Sequence, residues 1–273
     1  MPTKQDALFN VDPHASRPHA NLSQAASDYL KALAISENDP DHDDILWLHT
    51  LAISYSPTYL AENADAIRSD WPRVPLPIDA ATLRASAELG RRLASLVDPE
   101  QPVPGVTASP VAPHLKTIGT IQRFDGGALD PGAGHLAITA GWGVASRDGV
   151  TMPGSGRLDE RPFTPPELAT LGDASVELLG RRACDIYLNE HAFWRCVPTA
   201  VWEFKIGGYQ VPRKWLSYRE KRLLGRSLTD AEAREFTSII RRLTAIVLLN
   251  PELDANYESV RGQATPLPKQ TSG

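Results

Sequence analysis

The pattern of apolar residues changes twice along the chain, and this change limits the folds open to it. Apolar residues recur at helical spacing in the N-terminal and C-terminal parts of the sequence. In the middle, Gly and Pro divide the sequence into short β-like runs. This order of elements is typical of an α+β protein with an N-terminal helical segment, an irregular β-rich middle and C-terminal helices packed back on it. The 23 prolines and 19 glycines argue against an all-helical bundle.

The helical and β-like runs have readable boundaries. Ser56 can cap a helix whose first position holds Pro57, because a missing amide costs nothing there. Thr229 and Glu232 form a capping box for a late helix that ends at Asn250-Pro251. Helices are predicted for 23–33, 43–54, 56–67, 80–97, 165–171 and 174–182 and from Gln210, and β-like runs for 116–124, 135–140 and 149–152.

The predicted domain organisation follows these changes of pattern. Residues 1–21 are polar and lack periodicity, which predicts a linker. Residues 22–260 are predicted to form a single domain with a helical part (22–97), a β-rich part (98–206) and a basic helical part (207–260). Residues 261–273 are predicted to be a disordered tail.

Composition narrows the classes of protein. The chain has 28 Lys and Arg against 33 Asp and Glu, a net charge of −5 that by itself argues against a nucleic-acid partner. Cys184 and Cys196 are predicted to be free thiols in a reducing cytosol, with a disulfide as the alternative. No signal peptide and no apolar run of membrane-spanning length is recognised. We therefore expect a cytoplasmic protein with no membrane partner.

A search for catalytic groups finds one ambiguous loop. Gly154-Ser155-Gly156 lacks the surroundings of a nucleophile elbow, and the seven histidines lack metal-ligand spacing, so neither a metal nor a cofactor is expected. The segment 129–134 resembles the L-D-P-x-x-G loop with which adenine methyltransferases bind S-adenosylmethionine. A β-prone run follows it, however, where that loop needs a helix. We favour a β-turn over Asp130 to Gly134, with a cofactor loop as the alternative.

Charge is distributed unevenly. From Glu203 to Arg242 the chain carries ten Lys and Arg against five Asp and Glu, a net +5, and the remainder carries −10. Such asymmetry is expected of a surface that faces phosphates, although a solvated helix face accounts for it equally well. Trp202 and Trp215 are interpreted as core anchors.

Several blocks of sequence resemble one known family. The blocks are W-E-F-K-I-G-G-Y-Q-V at 202–211, K-W-L-S-Y-R-E at 214–220, L-G-R at 224–226 and L-D-A-N-Y at 253–257, preceded by Y-S-P-T-Y at 55–59, D-W-P-R-V-P-L-P at 70–77, Y-L-N at 187–189, F-W-R at 193–195 and V-P at 197–198. Together they resemble the C-terminal specificity region of type ISP restriction-modification enzymes over 21–257.

That resemblance implies a function in DNA recognition. The family joins a nuclease, a helicase-like ATPase motor, an adenine methyltransferase and a target-recognition domain. The resemblance therefore implies that this chain reads a short sequence in double-stranded DNA for those modules, fused or separate, in a bacterial phage-defence system. No motif of a catalytic module is found here, so the chain is not expected to be an enzyme on its own. Pro212 departs from the family pattern, at a position where a helix tolerates it.

The candidate DNA-binding residues come from the charge distribution and the resemblance. Tyr209 and Gln210 are expected to reach a base edge. Gly207 and Gly208 are expected to form a tight turn with positive φ, or alternatively only a structural corner. The full set is Lys205, Gly207, Gly208, Tyr209, Gln210, Arg213, Lys214, Arg219 and Lys221, with Arg123, Arg147 and Arg157 in the middle region.

Two other functions stay open. The chain could be an adaptor or remnant that docks a separate DNA methyltransferase through the helices of 43–97 and has little DNA affinity of its own. It could also be a methyltransferase that uses the loop from Asp130 to Gly134. DNA retention by the isolated chain, or loss of S-adenosylmethionine binding in Asp130→Ala, separates these alternatives.

Overall fold

The computed structural model describes residues 22–70 and 72–263. The predicted linker 1–21, Trp71 and most of the predicted tail lie outside these residues. The chain forms two compact units. The first contains described residues up to Arg92 together with those from Leu253 onward, and the second runs from Leu93 to Glu252. Helices at both ends and small sheets between them confirm the α+β class.

The described residues contain thirteen helices and eight strands. The helices are α1 (Gln24–Ala32), α2 (Ile45–Ser54), α3 (Pro57–Glu62), α4 (Ala64–Ser69), α5 (Ala80–Val97), α6 (Pro113–Lys116), α7 (Pro165–Leu171), α8 (Asp173–Leu179), α9 (Thr199–Trp202), α10 (Val211–Ser217), α11 (Lys221–Leu224), α12 (Asp230–Leu248) and α13 (Asn250–Arg261). The strands are β1 (Thr120–Arg123), β2 (Gly143–Ala145), β3 (Thr151–Pro153), β4 (Leu158–Pro162), β5 (Arg182–Tyr187), β6 (Ala192–Pro198), β7 (Lys205–Ile206) and β8 (Tyr209–Gln210).

The first unit is helical. Leu30, Ile45 and Leu83 form a buried cluster from α1, α2 and α5. Ser56 caps α3 as predicted, since its hydroxyl accepts from the Tyr59 amide. The same hydroxyl donates to the Asp254 carboxylate at 2.5 Å, which ties α13 to the start of α3. The C-terminal helix thus completes the N-terminal unit.

The second unit is built on an antiparallel sheet of four strands in the order β1-β6-β5-β4. β5 and β6 lie in the centre and are mostly buried. α12 packs against β1 and β6, where its Phe236 ring lies 4.3 Å from the Trp194 ring. Cys184 and Cys196 are buried and free, and burial raises the pKa of their thiols to about 11 and about 12, so both stay protonated.

Several local predictions are confirmed. α5 has the predicted bounds, and Thr229 and Glu232 exchange both hydrogen bonds of the capping box. Trp202 and Trp215 are buried as core anchors.

Other local predictions are wrong. The predicted helix from Ser56 to Ile67 is two helices, because the chain breaks at Asn63, whose side-chain amide donates to the Tyr59 carbonyl. The predicted end of α12 at Asn250-Pro251 is confirmed, but the helix α13 that begins there was not predicted; proline is tolerated in its first turn. Arg182 begins β5 and does not end a helix.

The strand predicted for His135 to Ala140 is also wrong. The segment is a turn followed by extended chain with no strand partner. The side chain of Asn189 donates to the His135 and Ala137 carbonyls, and the Thr139 and Ala140 amides donate to the Leu188 carbonyl. These bonds satisfy the backbone without a ladder. In the other two β-like runs, 116–124 and 149–152, the strands are shorter than or shifted from the prediction, at Thr120–Arg123 and Thr151–Pro153.

Candidate nucleic-acid interface

A short hairpin carries five of the predicted DNA-binding residues. β7 pairs with β8 so that Lys205 lies opposite Gln210 and Ile206 opposite Tyr209. Gly207 and Gly208 form the loop with φ of 57° and 83°. Two-residue hairpin loops with positive φ at both positions favour glycine. A Cβ at either position would meet no atom within 4 Å, so steric crowding does not require glycine here. The positive φ angles of the two residues do.

The end of this hairpin presents apolar side chains to solvent. Ile206 is 49% exposed and Tyr209 is 59% exposed. Gln210 differs from them, because its amide nitrogen donates to the Trp202 carbonyl at 2.5 Å. Gln210 therefore fixes the base of the hairpin, while Tyr209 extends from it.

α10 follows the hairpin directly and adds two cations. The ammonium of Lys214 lies 4.9 Å from the centre of the Tyr209 ring and 4.7 Å from that of Tyr218. The guanidinium of Arg213 lies 5.8 Å from the Trp202 ring. Within the part of the chain that the structure describes, Lys205, Arg213 and Lys214 form no ion pair with a carboxylate. These three charges are thus available to a ligand.

A second hairpin, β2–β3, contacts the same helix. A Cβ at Gly143 would lie 2.0 Å from the Ser217 carbonyl, which shows how closely β2 approaches the end of α10. Val144 and Met152 lie opposite each other in this hairpin and are exposed, and Arg147 lies exposed in its turn. We call the two hairpins together with α10 the two-hairpin surface.

Other predicted cations are held within the fold. The Arg219 guanidinium lies 3.8 Å from the Trp215 ring centre and 3.4 Å from the Glu235 carboxylate. Arg123 pairs with Asp125 in its own turn. Three more arginines of the basic stretch, namely Arg226, Arg241 and Arg242, bind carboxylate or carbonyl oxygens. The net charge of 203–242 therefore overstates the charge that is free to bind a partner.

Arg157 and Lys221 lie together elsewhere. Both line a cleft of about 710 Å³ beside the loop that follows Asp130. In that loop the Asp130 carboxylate accepts from the Gly132 amide, and the Gly134 amide donates to the Pro131 carbonyl. The segment is the β-turn that the sequence favours, without the helix that a cofactor loop requires.

Two buried carboxylate sites were missed by sequence reasoning. Glu220, counted there only as a negative charge, is buried and accepts from the amides of Gly141, Trp142 and Gly143. It fixes the start of β2 beside α10. The only hint in the sequence was its place within the family-like block 214–220.

The second missed site is a group of four charges that we call the sheet ion network: Arg161, Glu167, Asp185 and Arg195. The Arg161 guanidinium contacts Glu167 at 2.7 and 2.9 Å and Asp185 at 2.7 and 3.0 Å. Arg195 donates to Glu167 at 3.0 Å. Isolated charges within the apolar runs of β5 and β6 were the signal available in the sequence.

The network shifts the pKa values of two of its members. Burial alone would raise the pKa of Glu167, but hydrogen bonds from Arg161 and the Thr164 amide lower it to about 2. The hydrogen bonds that Arg161 donates to Glu167 and Asp185 raise the pKa of Arg161 against the opposing effect of burial. Both shifts favour the charged forms of Glu167 and Arg161, and the network pairs two guanidinium groups with two carboxylates.

Metal and membrane sites were also sought. Among the described residues, no group of three or more His, Cys, Asp or Glu side chains is arranged to hold a metal ion. None of the described helices is both long enough and apolar enough to cross a bilayer.

Comparison with known proteins gives one match. A family model described as Type ISP C-terminal specificity domain matches residues 3–242 of this chain. No curated protein and no solved structure matches it. The match covers both hairpins and α10, and it confirms the resemblance that the sequence blocks indicate.

Proposed function

The chain belongs to the type ISP C-terminal specificity domain family, and from this premise we propose that its two-hairpin surface binds duplex DNA and reads a short target sequence. The observation that supports this most directly is the arrangement around the β7–β8 hairpin. An exposed tyrosine and an exposed isoleucine project there beside three cations that have no carboxylate partner among the residues that the structure describes.

The cations supply the affinity in this proposal. Each Lys or Arg that meets a DNA phosphate releases condensed counterions, which favours binding at low salt. Lys205, Arg213 and Lys214 lie on adjoining elements, and Arg147 lies on the β2–β3 hairpin, whose Gly143 approaches the end of α10 at Ser217. We assign these four to the phosphate backbone. They fix the position of the protein on the duplex but carry no sequence information.

The β7–β8 hairpin supplies the specificity. A two-stranded ribbon fits the major groove, which is about 12 Å wide. Tyr209 offers a hydroxyl to a base edge, and Ile206 offers an apolar surface to a thymine methyl group. We assign Gln210 a positioning role, because its amide is already bonded to the Trp202 carbonyl. Gly207 and Gly208 keep the end of the ribbon narrow.

The partners follow from the family. We propose that the recognised DNA is presented to an adenine methyltransferase and to helicase-nuclease modules of the same restriction-modification system, either fused or on separate chains. In this arrangement the chain is a DNA-binding domain and its partners supply catalysis and any cofactor. A cytoplasmic location is consistent with these partners.

Selection from a pool of randomised duplexes tests the proposal. The wild-type chain is expected to enrich one short sequence. Tyr209→Ala is expected to relax the preference at one or two positions of that sequence, because one base contact is lost. Trp47→Ala provides a matched control, since Trp47 is a comparably exposed aromatic residue in the first unit (57%).

The outcomes separate the candidate functions. Enrichment that Tyr209→Ala relaxes and Trp47→Ala leaves intact supports recognition by the hairpin. Enrichment that both variants leave unchanged would place recognition elsewhere in the chain. Failure of the wild-type chain to retain any duplex, together with co-purification of a methyltransferase subunit, would favour the adaptor instead.

A further inference from the structure

The cleft that holds Arg157 and Lys221 has the size of a ligand site. Its volume of about 710 Å³ lies within the range of small-molecule pockets, about 300–1,000 Å³. Its walls are the loop from Ala133 to Gly141, the turn between β5 and β6, and the two cations. None of these elements belongs to the two hairpins or to α10.

The loop wall is held firmly by one side chain. Asn189 donates to the carbonyls of Gly134, His135 and Ala137, at 3.5, 3.0 and 2.7 Å. Its carboxamide oxygen accepts from the amides of His191 and Ala192. The wall is therefore formed before any ligand arrives, and preorganisation of this kind lowers the entropic cost of binding.

Arg157 is presented in a form suited to an anion. Its guanidinium lies 4.0 Å from the centre of the Tyr187 ring, and the Tyr187 hydroxyl donates to Asp159. Stacking occupies the face of a guanidinium and leaves its N–H edge free. Among the described residues, that edge has no hydrogen-bond or ion-pair partner. A planar cation with a free edge matches the oxygens of a phosphate group.

Lys221 adds the second charge from another wall. Its backbone amide donates to the Ile138 carbonyl at 2.7 Å, so the start of α11 is fixed to the cleft. In the described part of the chain its ammonium group has no carboxylate partner. The acidic residue of the cleft is Glu190, which is largely exposed and lies 3.5 Å from His191. The cleft is consequently cationic.

We propose that this cleft binds a phosphate group, with Arg157 and Lys221 as the direct contacts. The phosphate is carried either by a free nucleotide or by the backbone of bound nucleic acid. Binding here does not depend on the two-hairpin surface, because the residues involved belong to other elements. His191 and Thr139, which also line the cleft, offer further polar contacts to the ligand.

Three probes distinguish the two sources of phosphate. Deoxyadenosine monophosphate and inorganic phosphate are titrated into the full chain and followed by amide NMR shifts. A fluorescent duplex is titrated separately by anisotropy. The variants are Lys221→Gln and the double variant Arg157→Gln/Lys221→Gln. Arg234→Gln, which removes an exposed cation of α12, is the matched control.

The expected result is about a tenfold or greater loss of affinity in the double variant, the size that follows from losing charge-assisted hydrogen bonds. Loss of mononucleotide affinity identifies a free nucleotide as the ligand. Loss of duplex affinity alone identifies the DNA backbone. Arg234→Gln is expected to behave as wild type in both titrations.

The proposal is overturned if wild type and double variant bind all three probes with equal affinity, or if wild type binds none of them. Because Arg157 stacks on Tyr187, thermal unfolding checks that the double variant is folded. Lys221→Gln gives a second test, because the Lys221 ammonium has no hydrogen-bond or ion-pair partner within the described residues. If the duplex binds through the two hairpins and the cleft variants change the affinity for none of the three probes, this inference is rejected and the proposed function stands.

Discussion

The sheet ion network and the two-hairpin surface use the same residue types for different purposes. In the network, Arg161 binds two carboxylates at once, and Glu167 is nearly inaccessible to solvent. On the two-hairpin surface, Lys205 and Lys214 have no carboxylate partner within the described residues. Pairing and burial, rather than the number of positive charges, separate arginines that hold the fold together from cations that can meet a partner.

The difference also explains why net charge misleads for this chain. Its overall charge of −5 argues against nucleic acid, and the +5 of residues 203–242 argues for it. Arg219, Arg226 and Arg242 contribute to that second sum but are bound within the second unit. The local charge that a ligand meets is smaller than the sum, and it is concentrated around one hairpin.

The largest expected effect is on stability, from Arg161→Met. This variant removes the cation that Glu167 and Asp185 share and leaves Glu167 with Arg195 as its only guanidinium partner among the described residues. Removing one partner of a buried pair costs about 3–5 kcal/mol. We expect a decrease of this size in the free energy of unfolding, measured with urea at neutral pH, with duplex affinity within about twofold of wild type below the unfolding transition.

Arg182→Met is the matched control on the same sheet. Arg182 pairs with Glu160 across β4 and β5, and both side chains are well exposed. An exposed pair contributes about 1 kcal/mol or less. Equal losses from the two substitutions would show that the network is no more important than a surface pair.

The next effect concerns pH. The pKa of Glu167 is about 2 in the folded chain, below its ordinary value of 4.5. The stabilisation is fully present above 4.5 and is lost as pH falls from there toward 2, because the unfolded chain takes up the proton first. Glu167→Gln is expected to lose less stability than wild type between about pH 5 and about pH 3, measured by urea unfolding.

A residual dependence on pH remains in that variant. Hydrogen bonds from Arg226 and Thr229 also lower the pKa of Glu232 to about 2, against the effect of burial. Parallel curves for wild type and Glu167→Gln would show that Glu167 does not contribute to the acid dependence of stability.

Smaller effects on stability and DNA affinity are expected from substitutions of two neighbouring cations, Arg219 and Lys214. Arg219 stacks on Trp215 and contacts Glu235, so Arg219→Gln is expected to cost about 1 kcal/mol of stability and little DNA affinity. Lys214→Gln is expected to cost less stability and to weaken duplex binding. Urea unfolding and anisotropy on both variants measure this. The reverse pattern would place Arg219 at the DNA and Lys214 in the fold.

Sequence alone predicted what depends on neighbouring residues. The capping box of Thr229 and Glu232, the N-cap at Ser56 and the tight turn at Gly207-Gly208 each require only a few adjacent positions, and the structure has all three. The prediction that Tyr209 reaches a base edge also came from this short segment, and Tyr209 is exposed in the structure.

What sequence missed depends on distant partners. The segment from His135 to Ala140 was predicted to be a strand. Instead, the side chain of Asn189, far along the chain, donates hydrogen bonds to two of its carbonyl oxygens. Glu220 looks like a surface charge until the amides of 141–143 surround it. Arg157 and Lys221 are far apart in sequence but share one cleft. No periodicity or motif carries such information.

The central claim is that the cations of the two-hairpin surface contact DNA phosphates, and the salt dependence of duplex affinity tests it most directly. The slope of log Kd against log salt concentration is measured for wild type, for Lys205→Gln/Arg213→Gln/Lys214→Gln, and for Arg234→Gln as control. Each lost phosphate contact reduces the slope by about 0.9. We predict a reduction of about two to three in the triple variant and none in the control. An unchanged slope in a folded triple variant would contradict the account.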